Sequence, residues 1–215
     1  MITSQKEYLP AAGHDLFLPL YDPLTKLLGM DSARRALLDQ AALRPAHAVL
    51  DVGCGTGTLA VLIKQLHPTV QVIGVDPDPR ALARARRKAT RAGVQLRFDQ
   101  GYGDALGYPN ARFDRVFSSM MFHHLSRDEQ PRMLREIRRV LKPGGRLELL
   151  DFAGAESQGH GGLSGLFHSH HRLAGNSPER IVALMAAADF ASATMTRAQR
   201  RFFGRLAFFQ AVVPA

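Results

Sequence analysis

Between residues 46 and 152 the sequence alternates short apolar runs with longer segments whose apolar residues recur at helical spacing. A parallel sheet with helices on both faces is the arrangement that accommodates this order. Residues 47–52, 70–75, 94–99, 113–119 and 146–152 read as strands, and residues 58–66, 78–92 and 127–141 as helices. In the first helix Leu59, Leu62, Ile63 and Leu66 share a face, and Pro68 stops it. The second opens on Asp78 as N-cap, with Pro79 at the first helical position, and ends at Gly93. Lys142-Pro143-Gly144-Gly145 closes the third. A helix over 178–188 precedes two β-type runs, 190–197 and 205–213, whose short connection predicts an antiparallel pair at the sheet edge. The expectation is one α/β domain with a seven-stranded, mainly parallel sheet and an antiparallel edge strand.

Composition narrows the function. Apolar residues make up 46% of 215, enough for a real core. A single cysteine, Cys54, excludes an intramolecular disulfide and a Cys-rich metal or Fe–S site, and fits a reducing, cytoplasmic setting. The N-terminus lacks the apolar stretch of a secretory signal, and no apolar run is long enough to span a bilayer, so the reading is a soluble or at most peripheral protein. The net charge of +9 invites an acidic partner. The excess is arginine strewn along helical segments with no interleaved aromatic platform, which disfavours nucleic acid and reads as solvated helix faces.

The strongest chemical signal is Asp51-Val52-Gly53-Cys54-Gly55-Thr56-Gly57, set between the first strand and the first helix of the alternation. Alternating glycines let the backbone turn sharply and lie against a ligand, and the helix N-terminus behind them faces an anion. Asp76 ends the next strand, where a carboxylate accepts both hydroxyls of a ribose. Dinucleotide folds use G-x-G-x-x-G, whereas the order here is D-x-G-x-G-x-G, with Thr58 where the last dinucleotide glycine belongs.

From residue 49 to 152 the chain resembles the class I S-adenosylmethionine-dependent methyltransferases, in the branch grouped with quinone-biosynthesis and small-molecule enzymes. Five pieces carry the likeness: the glycine loop, Gly74-Val75-Asp76, Gly103-Asp104-Ala105, the strand Phe113-Asp114-Arg115-Val116-Phe117-Ser118-Ser119, and the turn Arg139-Val140-Leu141-Lys142-Pro143-Gly144-Gly145. The resemblance implies a Rossmann-like methyltransferase domain with S-adenosylmethionine as cofactor. It implies that Asp51, Gly53, Cys54, Gly55 and Gly57 hold the methionine moiety, that Asp76 holds the ribose, and that Asp104 and the Ala105 amide meet the adenine. Ser118, Ser119 and Met120 then line the floor under the methyl group, while Pro77 and Leu82 pack adenine or helix. Residues 1–45 become an N-terminal helical lid or acceptor segment, with a helix over 32–43, before a core of 46–215 in which 153–176 is an acceptor-side insertion. Tyr21, within a lid-like stretch, is a candidate to face the sulfonium by a cation–π contact, or else a core tyrosine.

His123 and His124 follow the fourth strand and stand as general base or orienting groups, or as loop-packing residues. Asp151, ending the fifth strand, is either a polar acceptor ligand or one half of an edge ion pair. His160, His168, His170 and His171 lack carboxylates at ligand spacing, so no metal site is assigned. The reaction expected is methyl transfer to a small or medium-sized O, N or C nucleophile, mainly by proximity and alignment. RNA, a lipid or quinone acceptor at a peripheral membrane surface, and a non-catalytic cofactor-binding module remain as alternatives. The acceptor's identity and the oligomeric state are not encoded in any motif.

Overall fold

The computed structural model describes residues 29–152, 176–201 and 204–215. In chain order these hold α1 (Met30–Ala41), β1 (Ala48–Val52), α2 (Thr58–Leu66), β2 (Gln71–Asp76), α3 (Pro79–Arg91), β3 (Arg97–Gln100) and β4 (Phe113–Ser119). A single 3-10 turn (Phe122–His124), α4 (Glu129–Val140), β5 (Leu141–Phe152), α5 (Pro178–Ala187), β6 (Ser192–Arg201) and β7 (Gly204–Val212) follow. One seven-stranded sheet runs in the order β3-β2-β1-β4-β5-β7-β6. β1 to β5 pair in parallel, and β7 runs antiparallel to both β5 and β6. The expected antiparallel pair therefore closes the edge, with the reversed strand β7 lying inside the outermost strand β6.

Alternation along the strands builds two cores. On one face Leu50, Val52, Val116, Leu147, Leu149 and Phe209 meet Leu134 and Ile137 of α4 and Ile181 and Met185 of α5. On the other, Val49, Val72, Phe117, Leu150 and Phe208 meet Leu37 of α1, Ile63 of α2 and Leu82 and Ala85 of α3. Strands covered on both faces read as nearly continuous apolar runs, which is why β1, β2 and β4 are legible. α1 is tied into this second layer: Gln40 Nε2 donates to the buried Glu148 carboxylate at 2.6 Å, and Arg115 Nε donates to the Ala41 carbonyl at 2.7 Å.

Local chemistry sets the boundaries. Asp78 Oδ1 accepts the Arg80 N–H at 2.8 Å with Pro79 beside it, as expected of the α3 cap. The third strand starts at Arg97, later than the apolar run suggests. Gly93, at φ +67°, and Val94 donate to Thr90 and Ala89 carbonyls, so this stretch closes α3 before the chain can extend. β5 starts earlier than expected, because Leu141 pairs with Phe113 ahead of an irregularity between Phe113 and Arg115.

Candidate active site

The carboxyl ends of β1, β2, β4 and β5 bring the sequence candidates together, where ligands bind in open α/β sheets. The glycine loop is fastened to β2: Gly53 and Cys54 N–H both donate to the Val75 carbonyl, at 2.8 and 3.1 Å. Gly55 N–H donates to Asp76 Oδ2 at 2.8 Å. Gly53, Gly55 and Gly57 all have positive φ. Gly53 and Gly57 also have a steric reason. A Cβ on Gly57 would lie 2.8 Å from the Ala85 Cβ, and one on Gly53 would overlap the Met121 side chain. The Cys54 thiol is buried against Gly74, and burial pushes it well above the ordinary thiol range. Cys54 thus gives the loop its backbone while its side chain belongs to the core.

Two carboxylates share the α1–α3 side of this end. Asp51 is 1% exposed, and its Oδ2 has no hydrogen-bond partner among the described residues. Burial, then repulsion from Asp76, pushes Asp51 up to about 7, against the pull of Arg34 and the Ala60 N–H. Burial also pushes Asp76 up to about 6, although its oxygens accept N–H groups from Gly55 and from Asp78 at 2.9 Å. A carboxylate has about four acceptor sites, so Asp76 keeps room for ribose hydroxyls. Arg34 was not a sequence candidate. It lies buried on α1 with Asp31 at 3.1 Å and close enough to Asp51 to bias its ionisation. Among 28 lysines and arginines its residue type alone does not mark it. A signal was available in its position on the apolar face of α1, between Ala33 and Leu37.

On the other side of the cleft, Asp104 Oδ2 accepts from Arg132 Nε at 3.1 Å. The Ala105 N–H donates to the Tyr102 carbonyl at 3.2 Å and so closes its own turn. Pro77 is half-buried beside Asp76, and its carbonyl accepts from Gln100 Nε2 at 3.1 Å. Leu82 is core.

At the end of β4 Ser118 is fully buried with its Oγ unpartnered among the described residues, and Ser119 is half-buried. Met120 has φ +59°, a strained left-handed value for a non-glycine, held by its N–H on the Leu150 carbonyl at 2.8 Å. That corner lays Met121 on Gly53 and leads into the turn carrying His123. His123 Nδ1 and Asp151 Oδ1 are 2.6 Å apart, and the His123 N–H donates to Asp151 Oδ2 at 3.1 Å. Asp151 is fully buried and also accepts the Phe152 N–H at 2.7 Å. The His124 ring lies 4.1 Å from the His123 ring, tilted by 38°, and Phe152 meets His123 edge-on at 5.1 Å. Two candidates read separately in the sequence thus form one unit. The carboxylate fixes Nδ1 as the protonated nitrogen and leaves Nε2 as the basic one.

A cationic, adenosine-bearing ligand suits these residues: a buried unpartnered carboxylate oxygen on Asp51 and an unpartnered hydroxyl on Ser118 face the same end of the sheet. Among the described residues no group of three His, Cys, Asp or Glu could hold a metal, and no helix is long and apolar enough to cross a membrane. Tyr21 and the histidines of 160–171 lie outside the described residues.

The sequence pattern of the family described as Methyltransferase domain matches residues 49–145. The demethylmenaquinone methyltransferase of Thermus thermophilus is 35% identical over 196 residues, which span 80% of this chain and 88% of that protein. The 27-O-demethylrifamycin SV methyltransferase of Amycolatopsis mediterranei is 30% identical over 226 residues, 89% of this chain and 81% of that one. Among solved structures, the YcgJ protein of Bacillus subtilis shares the fold with a TM-score of 0.71 at 20% identity, covering 86% of this chain and 99% of its own.

Proposed function

We propose that this chain, which belongs to the class I S-adenosylmethionine-dependent methyltransferases of the quinone-biosynthesis branch, methylates the ring of a reduced, quinone-type acceptor with His123 as base. Its reaction class is transfer of a methyl group from S-adenosylmethionine to a small-molecule acceptor. Bound S-adenosylmethionine supplies a methyl group already activated by a positively charged sulfur. What remains for the protein is to hold the cofactor, exclude water and present a nucleophile.

Asp51 is assigned to the ammonium group of the methionine moiety, since its unpartnered buried oxygen calls for a cation. Arg34 is assigned to the neighbouring carboxylate, the Gly53–Gly57 backbone to the chain between, and Asp76 to the ribose hydroxyls. Asp104 reaches the adenine edge if Arg132 yields it. Ser118 and Ser119 floor the methyl position; the acceptor segments expected at 1–45 and 153–176 lie largely outside the described residues. A cytoplasmic location goes with this reading.

The observation that carries the proposal is the buried His123–Asp151 pair at the mouth of the cofactor cleft. An alkylating methyl donor needs an electron-rich partner. An oxidised quinone ring is electron-poor, whereas its hydroquinone becomes a strong carbon nucleophile once a hydroxyl proton leaves. His123 Nε2 accepts that proton while Asp151 stabilises the resulting imidazolium. The oxygen lone pair then raises electron density on the adjacent ring carbon. That carbon gives up its hydrogen as a proton to solvent in exchange for the methyl group, and His123 returns its proton to the oxygen.

Turnover with methyl-labelled cofactor and a short-chain demethylated naphthohydroquinone tests this. Ring-methylated product is expected, with His123→Gln lowering kcat by about 100-fold and leaving cofactor affinity unchanged. Equal turnover of the oxidised quinone, or methylation on oxygen alone, would refute the carbon-acceptor mechanism.

A further inference from the structure

Behind the turn that carries His123, a polar network joins α4 to the start of α5. Gln130, buried on α4, donates through Nε2 to Asn176 Oδ1 at 3.0 Å. The same nitrogen has the carbonyls of Phe122 and Leu125, on either side of His123 and His124, at 3.4 and 3.5 Å. Arg180, in the first turn of α5, donates through Nη1 to Gln130 Oε1 at 2.6 Å and to Asn176 Oδ1 at 3.3 Å. These partners fix both amides. Gln130 turns its oxygen to the guanidinium and its nitrogen to the carbonyls, and Asn176 turns its oxygen to two donors.

That orientation leaves the Asn176 nitrogen outside the network. Nδ2 has no hydrogen-bond partner among the described residues, although Asn176 is only 2% exposed. A buried amide donor without an acceptor is uncommon in a native fold and costs stability. Asn176 is not needed as a helix cap either: Ser177 caps α5, its Oγ accepting the Arg180 N–H at 3.2 Å. Negative charge is scarce nearby. Burial, then repulsion from Arg127, holds the Arg180 guanidinium below the ordinary arginine range, and no carboxylate among the described residues offsets them. Two N–H groups beside such a guanidinium call for an electron-rich oxygen from a ligand. The location suits the acceptor. β4 and β5 run parallel and end together at the cleft, and Asn176 lies across Gln130 from the turn whose His123 meets Asp151.

We propose that Asn176 Nδ2 binds the second oxygen of the acceptor ring, the one that His123 does not deprotonate. The inference rests on the hydroquinone acceptor proposed above. A para-diol carries its two oxygens at opposite ends of one ring. With the first at His123, the second needs a donor of its own, and Asn176 supplies it. Arg180 and Gln130 hold the amide in the orientation that presents both N–H groups. Asn176 thus selects a ring with two oxygens over a ring with one, because a phenol would leave the buried amide unsatisfied.

Calorimetry on the full chain loaded with S-adenosylhomocysteine tests this, with a short-chain naphthohydroquinone and the matching 1-naphthol titrated under anaerobic conditions. The naphthol lacks the far hydroxyl. The wild type is expected to bind the diol about 10-fold or more tightly than the naphthol. Asn176→Ala removes the amide and leaves the Arg180–Gln130 bond and the Ser177 cap in place. It should bind the diol about 10-fold more weakly and the naphthol as the wild type does, with an unchanged cofactor-induced thermal shift. Wild-type protein that binds the naphthol as tightly as the diol overturns the proposal, and this measurement does not depend on the variant folding. A variant that keeps the wild-type preference, or that weakens both probes equally, also overturns it, the latter by marking Asn176 as structural. Preference for the diol that depends on Asn176, in an enzyme that methylates no quinol, upholds the subsite and removes the proposed reaction instead. Ring methylation that ignores Asn176→Ala removes the subsite and leaves the proposed reaction standing.

Discussion

Asp51 is placed to cost the ligand-free protein stability, and Asp51→Asn measures how much. Moving from the ordinary aspartate value of 3.8 to about 7, at about 1.36 kcal/mol per pH unit, amounts to roughly 4 kcal/mol. The folded state holds the proton more tightly than the unfolded chain. The penalty is therefore absent below pH about 4, grows as pH rises through the window between 4 and 7, and is complete above it. The amide removes the charge, but it also gives up the attraction of Arg34 and leaves an N–H where Oδ2 was unpartnered. We expect about half of the difference to survive, near 2 kcal/mol in favour of Asp51→Asn at alkaline pH. For a domain of this size that raises Tm by about 4–8 °C. Thermal and urea unfolding without cofactor, from acid to alkaline pH, should show the two proteins converging as pH falls. With S-adenosylmethionine added the order should reverse, because only the wild type gains from binding. An Asn variant less stable than wild type at alkaline pH, or a difference that ignores pH, refutes the reasoning. It would mean that Arg34 already neutralises Asp51 before any ligand arrives.

Other outcomes follow from the same geometry. Asp76→Ala should weaken S-adenosylmethionine binding by about 10- to 100-fold in calorimetry, since it removes the ribose acceptor and frees the N–H groups of Gly55 and Asp78; unchanged affinity would overturn the assignment. Cofactor affinity should be highest above pH 7 and fall toward pH 5, as Asp51 and Asp76, raised to about 7 and about 6, take up protons; titration calorimetry at several pH values reads this directly. Asp151→Asn should cost about 10- to 100-fold in kcat and alter the pH–rate profile, with little change in cofactor binding; loss of cofactor binding would mark Asp151 as structural only. Gly57→Ala should destabilise by about 1–3 kcal/mol in urea unfolding, because the added Cβ sits 2.8 Å from Ala85 on a backbone at φ +75°; a neutral result would mean that α3 moves aside cheaply.

The cofactor half was legible because its constraints are local. Glycines that must adopt positive φ, an acid at a strand end and a capped helix each leave a mark within a few residues. Val94 misled because its apolar side chain fits a strand, while its N–H is committed to the Ala89 carbonyl at the end of α3. The pairing of His123 with Asp151 spans 28 residues and two strand ends, so neither residue announces the other in sequence. Arg34 stayed hidden for a similar reason: its importance is its proximity to Asp51, a residue of another element on the same face of the sheet. The reversed position of β7 depends on which strand of a hairpin finds β5, a choice that periodicity does not encode.

The glycine loop's attachment to β2 bears on how fast and how cleanly the cofactor enters. Two N–H groups on the Val75 carbonyl and a third on Asp76 hold the loop's shape within the protein itself. No ordering of this segment has to accompany association. Binding should therefore be a single kinetic step, with a heat-capacity change no larger than the cofactor's own buried apolar surface accounts for.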